Sequence, residues 1–138
     1  RIEGMKEVLS AYPDIKILAI EDKNGIGEGR VNGIEKMVKA YPEFDLMIGT
    51  DADFGHCSAR VWKKYNLDKK LVAWDRTDEN MKYLREGIIT SVISQRQQIW
   101  GELSIKILND IVNGKPVKQF YDTDTYEINR QNVAVFGK

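Results

Sequence analysis

The sequence is poor in the residue types on which several classes of protein depend. It holds one cysteine and one histidine among 138 residues, so neither an internal disulfide nor a Cys/His metal site can be completed. Its 21 basic and 21 acidic side chains cancel without forming a basic block, which argues against a nucleic-acid surface. No apolar run approaches membrane-spanning length. The length suits one α/β domain with a sizeable core.

A repeated motif organises the first half of the chain. Ala11-Tyr-Pro-Asp14 and Ala40-Tyr-Pro-Glu43 each end a helical pattern, because proline cannot continue a helix and restricts the residue before it. An apolar strand pattern follows each motif, at Ile15–Ile20 and at Asp45–Gly49. The repeat of roughly 30 residues matches the size of one βαβ step.

Helical and strand patterns continue to alternate along the rest of the chain. Helices are predicted over Ile2–Tyr12, Arg30–Ala40, Phe54–Tyr65, Asp78–Glu86 and Gln97–Asn113, and further strands over Leu71–Trp74, Ile88–Ser94 and Thr125–Ile128. This alternation predicts an α/β fold with a doubly wound parallel sheet.

The polar residues that end three of these apolar strands carry the main functional signal. Asp51 follows the strand Asp45–Gly49, Trp74 and Asp75 end the next strand, and Gln95 follows the third. The carboxyl ends of parallel strands meet at one edge of a sheet, so these side chains should lie together. An aromatic face packs against sugar C–H groups, while carboxylates and amides bond hydroxyls. The pattern predicts a site for a small polyhydroxylated molecule.

Alternatives stay open for several of these residues. Asp51 and Asp53 both precede a helical pattern, where an aspartate can cap the helix; we favour the cap for Asp53 and ligand contact for Asp51. Asp75 could instead be a turn residue. Arg76 could hold Asp75 in place or reach the ligand itself, and the sequence does not decide between these roles.

Two further motifs give weaker signals. The glycine-rich loop Asn24–Gly29 lacks the spacing of phosphate-binding motifs, so we interpret it as a flexible turn in which Asn24 could touch a ligand. His56 and Cys57 are adjacent, and on a helix such neighbours point about 100° apart. With no further histidine or cysteine available, we expect Cys57 to pack in the core and His56 to face solvent.

Several motifs occur in an order that resembles a known family. They are Arg1-Ile-Glu-Gly-Met5, Ala40-Tyr-Pro-Glu-Phe-Asp45, Thr50-Asp-Ala-Asp53, Val72-Ala-Trp-Asp75, Glu86–Gln95, Gly101 and Asn113-Gly-Lys-Pro116. This order resembles the type I periplasmic binding proteins, the ribose- and galactose-receptor group, together with the related effector domains of lac-repressor-like regulators. The resemblance covers nearly the whole chain, and it depends on the ordered set rather than on any single motif.

The resemblance implies the C-terminal portion of a two-lobed receptor that closes over its ligand, with a flavodoxin-like lobe. Residues 1–95 would form the C-terminal lobe, incomplete at its start, which fits a chain that opens at Arg1 within a helical pattern. Residues 96–119 would form a helix that packs on the missing N-terminal lobe. Residues 120–138 would be the return segment and tail.

The resemblance also places ligand-contacting positions on this sequence. Asp51, Trp74, Asp75 and Gln95 fall on such positions, and Asn24 falls near another. Two departures stand out: the family's usual asparagine is Asp51 here, and the proline that often follows the hinge glutamine is absent.

Two functions are compatible with this resemblance. The first is an extracytoplasmic receptor, periplasmic or extracellular and either free or anchored as a lipoprotein, that delivers a sugar or polyol to a membrane transporter, as in ABC systems, or to a sensor. The alternative is the effector-binding domain of a lac-repressor-like transcription regulator. The tail Asp122–Asn132 favours the receptor. An enzyme is not expected, because the only candidate general base is an unpaired carboxylate. No cofactor, metal or nucleic acid is expected either.

Overall fold

The computed structural model describes residues 1–21 and 26–136, which form five α-helices and four strands. The helices are α1 (Ile2–Leu9), α2 (Glu28–Ala40), α3 (Ala52–Tyr65), α4 (Asp78–Arg85) and α5 (Gln97–Val112). The strands are β1 (Leu46–Ile48), β2 (Lys70–Trp74), β3 (Ser91–Gln95) and β4 (Thr125–Asn129), and the 3₁₀ helix Val133–Phe136 follows β4.

The four strands form one sheet in the order β1-β2-β3-β4. β1, β2 and β3 are parallel, whereas β4 runs antiparallel to β3. The predicted α/β fold is confirmed, with one antiparallel strand at the edge of the parallel ones. In the register of the sheet, Trp74 lies opposite Ile93 and Gln95 lies opposite Thr125. The ends of β2 and β3 are therefore neighbours, and the chain returns beside them after α5.

The core fills the space between the sheet and helices α2, α3 and α4. Each element contributes at least one nearly inaccessible side chain, among them Ile34, Val61, Leu71, Leu84 and Val92. Burying an aliphatic side chain of this size contributes about 1.5–3 kcal/mol relative to leaving it exposed. This packing holds the strand ends, and the residues they carry, in fixed positions.

The strand predicted over Ile15–Ile20 is wrong for this structure. The segment has no regular secondary structure and no strand partner among the described residues, and Ile15, Ile17 and Ile20 are each about half exposed. A strand exists only where its backbone N–H and C=O groups pair with a neighbour. Within the described part of the chain, the sheet ends at β1, so the apolar pattern of this segment finds no ladder to join.

The helices otherwise lie close to the predicted positions, with two informative differences. α3 begins at Ala52, two residues before the predicted Phe54, and this shift decides which aspartate caps the helix. α5 forms over nearly the predicted range, yet none of its side chains is buried by the described residues. None of the described helices is both long and apolar enough to cross a membrane.

Candidate functional site

Asp75 and Gln95 lie together at the carboxyl ends of the adjacent strands β2 and β3. The Gln95 amide donates from Nε2 to Asp75 Oδ1 over 2.8 Å, and Gln97 Nε2 approaches the same oxygen at 3.4 Å. Asp75 has φ 65°, an uncommon conformation for a residue with a side chain, and its backbone N–H donates to the Ile93 carbonyl over 2.8 Å. The sequence pattern predicted that Asp75 and Gln95 would meet, and the structure confirms this proximity.

Trp74 lies at the same end of β2, and Arg1 covers its ring. The Arg1 guanidinium carbon lies 4.4 Å from the centre of the Trp74 ring, within the range of a cation–π interaction. Arg1 also donates to the backbone carbonyl of Thr50, which is the residue before Asp51. Trp74 Nε1 is buried and has no hydrogen-bond partner among the described residues. In this conformation, the aromatic platform is therefore shielded by a cation from the start of the chain.

Asp51 is the N-cap of α3, so the preference for Asp53 as the cap is wrong. Asp51 has an extended backbone, and its Oδ1 accepts from the backbone N–H groups of Asp53 (3.0 Å) and Phe54 (3.1 Å). Asp53 lies two positions after the cap, inside the first turn, because the helix starts at Ala52. The ligand contact expected of Asp51 remains a prediction, and it concerns a side chain whose exposed fraction is 50%.

Arg30 also binds Asp51, and no motif in the sequence predicted this pair. The Arg30 side chain, 11% exposed, enters from the first turn of α2 and donates from Nη1 to Asp51 Oδ1. Burial raises the pKa of Asp51, but the hydrogen bond and charge of Arg30, together with the helix N–H groups, outweigh burial and hold that pKa below its usual value. The same hydrogen bond raises the pKa of Arg30. Asp51 is therefore ionised, and the positive charge of Arg30 largely balances its negative charge.

Arg76 does not hold Asp75 in place in this conformation. Its guanidinium Nη2 donates to the Phe136 carbonyl over 2.7 Å, and its guanidinium carbon lies 5.6 Å from the centre of the Phe136 ring. Gln95 and Gln97 hold Asp75 instead. Contact between Arg76 and a ligand remains a prediction. Asn24 lies outside the described residues.

The adjacent histidine and cysteine offer no second site. Cys57 is buried in the core, as expected, and burial raises the pKa of its thiol. His56 is half-buried rather than solvent-facing, with its Nδ1 lacking a partner among the described residues. Across the described part of the chain, no three His, Cys, Asp or Glu side chains are grouped closely enough to hold a metal ion.

An α/β lobe with carboxylates, an amide and an indole at the ends of its parallel strands has the architecture of a small-molecule binding domain. The chain belongs to the periplasmic binding protein family, whose domain model matches residues 1–116. The resemblance drawn from the motifs is thereby confirmed.

Named relatives of this chain bind small polyhydroxylated molecules. The xylitol-binding protein of Mycolicibacterium smegmatis is 22% identical over 120 residues, covering 86% of this chain and 34% of that protein. The ribose import binding protein of Haemophilus influenzae is 21% identical over 118 residues, covering 86% of this chain and 40% of that protein. The chain thus spans well under half the length of these relatives, which are named as binding proteins and not as enzymes or regulators.

A solved structure supports the same fold. The glucose-galactose binding protein GanP of Geobacillus stearothermophilus superposes with a TM-score of 0.88 at 23% identity, covering 95% of this chain and 48% of that one. At this identity the likeness establishes the fold. The residues that contact a ligand must be argued from this chain's own geometry.

Proposed function

We propose that this chain supplies one wall of a binding site for a neutral sugar or polyol, in an extracytoplasmic receptor that serves a membrane transporter or sensor. The observation that carries the proposal is the cluster of Asp75, Gln95 and Gln97 at the ends of β2 and β3. Membership of the periplasmic binding protein family and the named ligands of the relatives, xylitol and ribose, support it.

The hydrogen bonds inside the cluster suit a ligand that brings hydroxyl donors. Both glutamines donate to Asp75 Oδ1, and the described donors to Asp51 converge on its Oδ1. Among the described residues, each carboxylate thus keeps Oδ2 for another donor. A hydroxyl that donates to a carboxylate gains about 1.5–3 kcal/mol net. An acidic sugar would instead bring its own negative charge next to the Asp75 carboxylate, which accepts from the neutral amides of Gln95 and Gln97.

Trp74 can add a stacking surface once Arg1 has moved off its ring. Arg1 lies over the ring, so a sugar that packs its C–H face on Trp74 must first displace the Arg1 guanidinium. An exposed cation–π contact is worth about 0.5–1 kcal/mol, which a stacked sugar ring can replace. Trp74 would then contribute apolar contact, while Asp75 and Asp51 fix the hydroxyls.

Three segments of the chain would take different places in the receptor. Residues 1–95 would form the ligand-bearing lobe, and 96–119 would pack on another lobe of the receptor. α5 fits that role, since its apolar side chains Ile105, Leu108 and Ile111 are more than half exposed. Residues 120–138 would return the chain to the sheet, as β4 does beside β3.

Calorimetric titration with xylitol, ribose, galactose, glucose and the acidic sugar glucuronate tests the proposal. Removing the charge in Asp75→Asn should weaken binding of the preferred neutral ligand by about 10- to 150-fold, the equivalent of one charge-assisted hydrogen bond. Asp68→Asn is the matched control, because Asp68 precedes β2 and lies at its opposite end. Equal affinity in Asp75→Asn and the unaltered protein, or preference for glucuronate, would contradict the proposed site.

A further inference from the structure

Asn80 is a fully buried polar side chain beside the site. It is the third residue of α4 and is fully inaccessible to solvent, although asparagine is mostly exposed in proteins. Its backbone N–H donates over 3.1 Å to the hydroxyl of Thr77, the residue that caps α4. The start of α4 therefore fixes where the Asn80 side chain lies.

The Asn80 amide binds three backbone carbonyls, one in α3 and two at or just after the end of β2. The two protons on Nδ2 are shared among the carbonyl oxygens of Ala52 (3.0 Å), Trp74 (3.1 Å) and Asp75 (3.0 Å). Carbonyl oxygens only accept, so the NH₂ group, and not Oδ1, must face them. One side chain thus ties the first residue of α3 to the end of β2.

The opposite side of the amide is closely packed. A Cβ atom on Gly55 of α3 would lie 2.3 Å from Asn80 Oδ1 and 2.6 Å from the Ala73 Cβ, so only glycine allows this approach. No donor among the described residues reaches Oδ1, which is therefore a buried acceptor without a partner. An unpaired buried acceptor costs stability, and a polar residue kept in such a place indicates a role beyond packing.

We propose that Asn80 is a positioning residue of the ligand site, an inference that rests on the function proposed above. Asp51 directly precedes Ala52, and the amide binds the carbonyl of Asp75 itself, so Asn80 sets the separation of the two carboxylates. It also secures Asp75 in its φ 65° conformation, which a residue with a side chain rarely adopts without support. A displacement of about 1 Å in such a constellation weakens recognition markedly.

Asn80→Ala tests this role against Leu84→Ala, a matched core truncation on the same helix. Leu84 is also fully buried, so both variants lose core packing, but only the first removes the three hydrogen bonds. Binding is measured with whichever of xylitol, ribose, galactose or glucose binds the unaltered protein most tightly. Asn80→Ala should raise Kd at least tenfold, and Leu84→Ala should change it less than threefold. Asn80→Ser, which keeps one donor, should fall between them.

Hydrogen exchange without ligand separates this proposal from the proposed function. Asn80→Ala should speed backbone exchange in both 52–54 and 74–77, while Leu84→Ala should not do so selectively. In the unaltered protein the Nδ2 protons of Asn80 should exchange slowly. Fast exchange of those protons would overturn the positioning role. So would equal affinities and equal exchange patterns in Asn80→Ala and Leu84→Ala. Selective exchange with no sugar bound by any variant would uphold the positioning and contradict the sugar site.

Discussion

Replacing Arg30 with methionine should weaken the contact between α2 and α3 and lower the free energy of unfolding. The Arg30 side chain is 11% exposed and donates to Asp51, which in turn caps α3. Methionine replaces the apolar stem of the arginine side chain but removes the guanidinium. The substitution therefore leaves an ionised cap without its buried counter-charge.

The size of the effect follows from the exposure of the two partners. A hydrogen bond to a charged group contributes about 1.5–3 kcal/mol net when it is well shielded. The Asp51 side chain is 50% exposed, so solvent screens part of this value, and we expect Arg30→Met to cost about 1–2 kcal/mol. Asp51→Asn keeps an oxygen that can cap α3 while it removes the charge.

A double-mutant cycle isolates the pair. Urea unfolding of the unaltered protein, Arg30→Met, Asp51→Asn and the double variant at pH 7 should give a coupling energy of about 1 kcal/mol. A coupling energy below about 0.3 kcal/mol, within the error expected for independent sites, would refute the role assigned to Arg30.

The pH dependence gives a second readout with a defined sign. The pKa of Asp51 is lower in the folded protein than its usual value, with Arg30 opposing the effect of burial. A depressed carboxyl pKa contributes stability that is fully present above the unfolded value of about 3.9 and is lost as pH falls through the folded value. Arg30→Met should therefore lose less stability than the unaltered protein between pH 5 and pH 2. An unchanged acid profile would count against the pair.

Two further predictions concern packing and surface charge. Gly55→Ala should destabilise the protein by about 1–3 kcal/mol, because the new methyl group meets the Asn80 carbonyl oxygen; a Tm equal to that of the unaltered protein would show that the amide can move aside. The hydrogen bonds of Lys39 and Lys64 lower the pKa of Glu35 to about 2, so the unaltered protein should lose stability as pH falls from about 4.5 towards 2. Glu35→Gln should flatten the Tm profile over that range, and parallel profiles would contradict this assignment.

The strand ends were predictable from sequence because parallel strands impose a simple rule. An apolar run that stops at Asp75 and another that stops at Gln95 must place these residues at one sheet edge, whatever the details of the loops. The family was indicated separately, by the resemblance of the ordered motifs to those of known receptors. Helix boundaries follow less simple rules, and a shift of two residues at the start of α3 made Asp51, and not Asp53, the helix cap.

Other features depended on tertiary contacts that leave no periodic pattern. Arg30 and Asn80 look like ordinary polar residues of amphipathic helices, and only the packed structure reveals that both are buried against the site. Arg76 binds Phe136, sixty positions away in sequence. Ile15–Ile20 has the composition of a strand, but composition cannot provide a neighbouring strand with which to pair.

The turn between β3 and α5 connects the proposed ligand site to the direction in which the chain leaves the sheet. Gln95 ends the strand, Gln97 begins the helix, and both amides approach one carboxylate oxygen, that of Asp75. The chain returns to the sheet at Thr125, which pairs with Gln95. Residues 96–124 therefore leave and rejoin the sheet at the same place. A hydroxyl bound at Oδ2 of Asp75, as proposed above, would share this carboxylate with amides from both sides of the turn. By reciprocity, a partner that fixes the angle of α5 would also alter the free energy with which Asp75 binds that hydroxyl.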